Sequence, residues 1–149
     1  VTLGKGLGGG VPLAAVVSTR AAMSFAHGDQ GGTFNGNALM AAAGHAVLDR
    51  VADPAFLRGV ERMGDHLRQR LVALSAARGL GEVRGRGLLL ALELGRDIGF
   101  EVVEAAREHG LLLNAPRPAL LRFMPALNVT EEEIDLAVER LALALDAAG

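Results

Sequence analysis

Five of the seven residues from Gly4 to Gly10 are glycine, a composition that excludes the interior of a helix or of a sheet. A second polar, glycine-rich stretch covers residues 27–36. The first fifty residues must therefore be short elements strung between loops, too few to close a core of their own. Val1-Thr2-Leu3 reads as the end of a strand, Leu13 to Val17 as a second strand led by Pro12, and Asn37 to Val51 as an alanine-rich helix.

The pattern changes at residue 53. Asp53-Pro54 is a helix start, with the acid as cap and the proline at the first helical position. Phe56, Val60, Met63, Leu67, Leu71 and Leu74 then recur every three or four residues, one apolar stripe that Gly79 and Gly81 bring to a stop. Strands are predicted near 82–86 and 88–94, and a helix over 98–109 closed by Gly110. Further strands are predicted at 111–114 and 120–124, around a Pro116-Arg117-Pro118 turn. Thr130-Glu131-Glu132-Glu133 is a capping box, and Ile134, Val138, Leu141 and Leu145 stripe the last helix. The expected division is thus 1–52 and 53–149, the second part an αββαββα unit.

Half of the 149 residues are hydrophobic and the mean hydropathy is +0.31, enough for a sizeable interior and the opposite of a disordered chain. A net charge of −2 gives no ground for a nucleic-acid partner or a membrane surface. The absence of cysteine removes disulfide frameworks, thiolate metal sites and cysteine nucleophiles, and fits a cytoplasmic protein. The four histidines show no metal-ligand spacing, so no metal is expected. The chain begins with Val1 inside a strand-like run, and the expectation is that it is a piece of something longer.

Lys5 is the one charged residue among the first nineteen, and glycines flank it. A lysine in apolar surroundings loses its proton readily, and a neutral amine is what Schiff-base chemistry needs. The plain alternative is a solvated surface lysine. Gly4, Gly6 and Gly9 also match a dinucleotide fingerprint, but Pro12 and the apolar run behind it read as strand where a helix is required. A phosphate loop of the Walker type is excluded, since Gly6 follows the lysine.

Residues 28–37 place glycines, the Thr33 hydroxyl and amides directly before a helix, as a phosphate site does; a turn with Asn35 or Asn37 as helix cap is the alternative. Arg122 is the single charge in the apolar run Leu120–Met124. Buried, it would grip an anion; on an edge strand it would face water.

Taken together, these segments resemble the class III (ω-amino) aminotransferases. Residues 2–13, Thr-Leu-Gly-Lys-Gly-Leu-Gly-Gly-Gly-Val-Pro-Leu, are similar to that family's cofactor-lysine segment. Gly31-Gly32-Thr33-Phe34-Asn35-Gly36-Asn37 is similar to its Gly-Thr-Thr-Phe/Tyr-Gly-Gly-Asn-Pro segment, and residues 111–128 with the capped final helix resemble its C-terminal end. The tail most resembles members that act on N-acetylornithine. The resemblance implies an α/β fold, the C-terminal part of a fold-type I pyridoxal-phosphate transferase comprising the end of the large domain and the small α+β domain. It implies that Lys5 binds pyridoxal 5'-phosphate and then moves the substrate's proton, and that Thr33 holds the cofactor phosphate across a homodimer interface. Arg122 would bind the α-carboxylate of 2-oxoglutarate or glutamate. The implied reaction moves the amino group of N-acetylornithine to 2-oxoglutarate in arginine synthesis, with ornithine, succinylornithine or 4-aminobutyrate as alternative donors. More remote alternatives are a nucleotide-binding module and a non-catalytic domain.

Gly32 replaces the second threonine of the family segment, Asn35 stands where glycine is usual, and Ala38 replaces the proline. In the family, the aspartate facing the pyridine nitrogen, the stacking aromatic ring and a second phosphate loop all precede the lysine. A chain without them is expected to be inactive alone.

Overall fold

A computed structural model describes residues 1–149. The chain divides into two compact units, Val1–Leu57 and Arg58–Gly149.

In the first unit, β1 (Thr2–Leu3) pairs antiparallel with β2 (Ala15–Val16), Thr2 opposite Val16 and Leu3 opposite Ala15. Between them Lys5–Gly8 winds into one 3₁₀ turn. A long loop leads to α1 (Ala38–Val51), which starts at Asn37 because that side chain accepts from the N–H groups of Leu39 and Met40 at 3.1 and 3.2 Å. Gly44 lets α1 approach Leu13, whose side chain would overlap any Cβ at that position. The Arg50 guanidinium lies 4.6 Å from the centre of the Phe56 ring. Gly8 and Gly44 are the only buried residues here, so the unit holds no hydrophobic core.

The second unit is built differently. The helix α2 spans Pro54–Arg78 and is followed by β3 (Val83–Arg86), β4 (Leu89–Glu93), α3 (Gly99–Glu108), β5 (Asn114–Arg117), β6 (Leu120–Phe123) and α4 (Glu131–Ala147). The strands form an antiparallel sheet in the order β3-β4-β6-β5. Val83, Leu92 and Leu121 stand opposite one another in register. With Leu90 they bury one face of the sheet against Leu67, Leu71 and Leu74 of α2, Val102 of α3, and Ile134, Val138, Leu141 and Leu145 of α4. The stripes read from the helical periodicity therefore meet one sheet face, and the opposite face stays open. The capping box forms as expected: Thr130 Oγ1 accepts from the Glu133 N–H at 3.2 Å, and Glu133 Oε2 accepts from the Thr130 N–H at 2.9 Å.

One strand differs from the expectation. The segment 111–113 is not in the sheet; Leu111 and Leu113 pack against the core instead, and β5 begins at Asn114. Pro116 and Arg117 lie in the strand, and the turn is at Pro118-Ala119. The register is irregular between Asn114 and Arg117, and β5 is an edge strand, where a proline's missing N–H is tolerated.

Arg78 at the end of α2 holds Asp146 at the end of α4 through Nε (3.1 Å) and Nη2 (2.9 Å). These hydrogen bonds keep the Asp146 carboxyl below its ordinary value of 3.8. A carboxylate so lowered on folding adds stability that is complete above the ordinary value and is lost as pH falls through the lowered one. Urea unfolding midpoints followed by circular dichroism should therefore fall less steeply below pH 3.8 in Arg78→Gln than in the parent chain. The difference should be small, because the pair is exposed. No helix is long and apolar enough to cross a membrane.

Candidate functional site

Lys5 is the only lysine in the chain, and it is the only residue other than glycine with a positive φ, +52°. A left-handed backbone costs a side-chain-bearing residue about 1–2 kcal/mol, and strain of this kind concentrates at functional positions. A surface lysine kept for solubility has no use for it. The 3₁₀ turn fixes this backbone: the Leu7 and Gly9 N–H groups donate to the Gly4 and Gly6 carbonyls, both at 3.1 Å. A Cβ on Gly6 would meet no atom within 4 Å, so the space beside the lysine is open. The apolar enclosure expected around the amine is not supplied by this chain, since Lys5 is exposed. The dinucleotide reading fails as well. The residues after Gly9 lead to β2 rather than into a helix.

Thr33 opens the turn that covers residues 33–36, in the same unit as Lys5. It is exposed, and its hydroxyl enters no hydrogen bond within the chain. Asn37 serves as the plain helix cap, so the cap and a free threonine hydroxyl coexist in this segment. Pro12 and Ala14 on one side, and Phe34 and Asn37 on the other, line a single groove of about 730 Å³. The segments following the lysine turn and the threonine are thus neighbours.

Arg122 lies in the second unit. Its strand, β6, is an inner strand flanked by β4 and β5, yet Arg122 is exposed. Neither expectation for it, burial or an edge strand, describes this arrangement. It projects from the face of the sheet that the helices leave uncovered, in register with Asn114 on β5 and Ala91 on β4. It forms no ion pair, so its guanidinium is free to take a carboxylate in two-pronged fashion. On the same face Arg84 of β3 is paired with Glu93 of β4. Sequence reasoning passed over these two charged neighbours. Alternation along 89–93 separates Leu90 and Leu92 from Ala91 and Glu93, but only the register between strands brings Glu93 near arginines.

The pattern of the class-III aminotransferase family, "Aminotransferase class-III", matches residues 1–145. The acetylornithine aminotransferase of Ralstonia nicotianae is 57% identical over 100% of this chain, which corresponds to 38% of that protein. Among solved structures, the N-acetylornithine aminotransferase of Stenotrophomonas maltophilia is 34% identical, with a TM-score of 0.82 over 98% of this chain and 39% of its own. The ornithine delta-aminotransferase of Plasmodium falciparum is 27% identical, with a TM-score of 0.85 over 97% of this chain and 39% of its own. The chain thus spans under two fifths of the length of the relatives it matches. The α/β architecture is that of fold-type I transaminases, whose class-III members use pyridoxal phosphate. The match runs through the lysine turn, the threonine segment and the sheet that carries Arg122, and the chain belongs to the class-III aminotransferase family.

Proposed function

We propose that this chain is the portion of an acetylornithine aminotransferase that carries the cofactor lysine and the carboxylate-binding arginine. In this reading the whole enzyme moves the amino group of N-acetylornithine to 2-oxoglutarate, a step of arginine synthesis, in the cytoplasm and as a homodimer. The observation that carries the reading is the chain's single lysine, held in a left-handed backbone between glycines. The names of the relatives at 57% and 34% identity support the choice of donor.

The residues present fit pyridoxal phosphate. Lys5 offers an accessible primary amine, and Thr33 an accessible hydroxyl that has no partner within the chain. When bound, the cofactor supplies the electron sink that stabilises negative charge at the amine-bearing carbon. Lys5 Nζ would hold the cofactor through its amine and, once that amine is released, would serve as the base that moves the substrate's proton. The Thr33 hydroxyl would donate to the phosphate of the cofactor held by the neighbouring subunit of the proposed dimer. Arg122 fixes the α-carboxylate and so sets which bond of the substrate lies where Lys5 can reach it.

Reductive labelling tests this directly. The chain is incubated with pyridoxal phosphate, reduced with borohydride and digested. A pyridoxyl mass is expected on the peptide containing Lys5, and none on that peptide in Lys5→Ala. Label confined to the Val1 amino group would overturn the proposal. The name of the ornithine delta-aminotransferase among the structural neighbours makes ornithine the second donor to compare in a turnover assay of the complete enzyme.

A further inference from the structure

Residues 32–37 hold two turns in succession. The Asn35 N–H donates to the Gly32 carbonyl at 3.1 Å, and the Asn37 N–H to the Phe34 carbonyl at 3.2 Å. Asn35 and Gly36 are therefore the central pair of the second turn. Gly36 has φ +70°, while Asn35 is not among the residues with a positive φ, which is the type II pattern. That pattern calls for glycine at the second central position. The Gly36 N–H, unlike those of Asn35 and Asn37, donates to no group of the chain.

The Asn35 carboxamide is equally unengaged. It enters no hydrogen bond within the chain, and both Asn35 and Gly36 are exposed. It lies over Gly32, where a Cβ would be 3.0, 3.1 and 3.2 Å from its Oδ1, Cγ and Nδ2. Gly32 and Asn35 both depart from the family segment, and the first departure makes room for the second.

The other asparagines are placed differently. Asn37 Oδ1 accepts from the Leu39 and Met40 N–H groups, and Ala38 follows it. Asn114 lies in β5 before Ala115, and Asn128 precedes the β-branched Val129. A Cβ on the following residue screens its backbone nitrogen and narrows the rotations that bring this nitrogen to the carboxamide carbon. Only Asn35 joins a glycine successor to a free carboxamide and an unbonded N–H on the next residue.

We propose that Asn35-Gly36 is a site of self-modification, at which the Asn35 carboxamide becomes a carboxylate. The Gly36 nitrogen gives its proton to water and attacks Asn35 Cγ. The Cγ–Nδ2 bond breaks, ammonia leaves, and a cyclic imide closes. Water then opens the imide at either carbonyl. Opening at Cγ gives aspartate, and opening at the backbone carbonyl reroutes the chain through Cγ as isoaspartate. One water is consumed and one ammonia released, with no change of oxidation state.

Either product sets a negative charge two residues after Thr33. The two Cα atoms are at most about 7 Å apart, less than the screening length of about 8 Å at physiological salt. On the reading of Thr33 as a ligand of the cofactor phosphate, this charge opposes the phosphate.

The test is ageing of the chain over days in mildly alkaline buffer, followed by digestion and mass spectrometry with fragmentation to assign each site. Aspartate and isoaspartate are expected at Asn35, about tenfold or more ahead of Asn37, Asn114 and Asn128. Gly36→Ala should slow the conversion by about tenfold or more. Asn35 converting no faster than Asn114 would overturn the proposal, as would an undiminished rate in Gly36→Ala. In the complete enzyme, Asn35→Asp should release pyridoxal phosphate several-fold faster on dilution than Asn35→Gly. Equal release would reject the effect on the phosphate. The mass measurement needs no cofactor, so an unlabelled Lys5 would reject the aminotransferase reading without touching it.

Discussion

Gly85→Ala should destabilise the second unit by about 3–5 kcal/mol, the sum of backbone strain and overpacking. Gly85 lies in β3 opposite Leu90, at φ +128°, a conformation closed to residues with a Cβ. An added methyl would also collide with the Leu89 carbonyl oxygen and come within 2.9 Å of the Leu90 Cα. Both obstacles are backbone of the paired strand, so no side chain can rotate to make room. Gly87 provides the comparison. It too has a positive φ, +54°, but a Cβ there would meet nothing within 4 Å. Gly87→Ala should therefore show the strain alone, about 1–2 kcal/mol. Urea unfolding by circular dichroism measures both, and equal losses would show that the collision at Gly85 is relieved at no expense.

Leu92→Ala should cost about 2–5 kcal/mol in the same assay. Leu92 is 0% exposed and sits at the centre of the sheet's inner face, between Val83 and Leu121. Truncation would remove its contacts with the helices and leave a cavity that the paired strands cannot collapse to fill. Leu92→Met, which keeps the volume, should cost less than about 1.5 kcal/mol. Leu89 is on the opposite face of the same strand and 58% exposed, so Leu89→Ala should lie within about 0.5 kcal/mol of the parent. Similar losses at Leu89 and Leu92 would contradict the assignment of a covered and an open face.

The helices were legible because their signals are local. The stripe from Leu67 to Leu74 and the Thr130–Glu133 box each need only residues within a turn or two. The sheet was legible in its strands but not in its order. That β6 lies inside the sheet, beside β4, is decided by pairing across about thirty residues, and no local pattern encodes it. The start of β5 was misplaced for a related reason: Leu111 and Leu113 are apolar because they pack on the core, not because they pair.

The same distinction runs through the candidate site. Lys5 stood out by composition, an amine among glycines, while its left-handed backbone could be found only in the structure. Arg122 stood out as one charge in an apolar strand. Its exposure on an inner strand follows from a sheet covered on one face, which the single-strand pattern could not separate from an edge. Glu93 was invisible as a neighbour of arginines until the register was known.

The backbone of Lys5 also bears on how this turn can change over generations. Glycine is the residue that its φ favours, and a lysine-to-glycine exchange would relax the turn by about 1 kcal/mol. A lineage released from the amine's chemistry would therefore drift downhill toward a sixth glycine in this run. Under the proposed function, the role of the amine is what opposes that drift, and replacement of the lysine would mark a descendant that had given this role up.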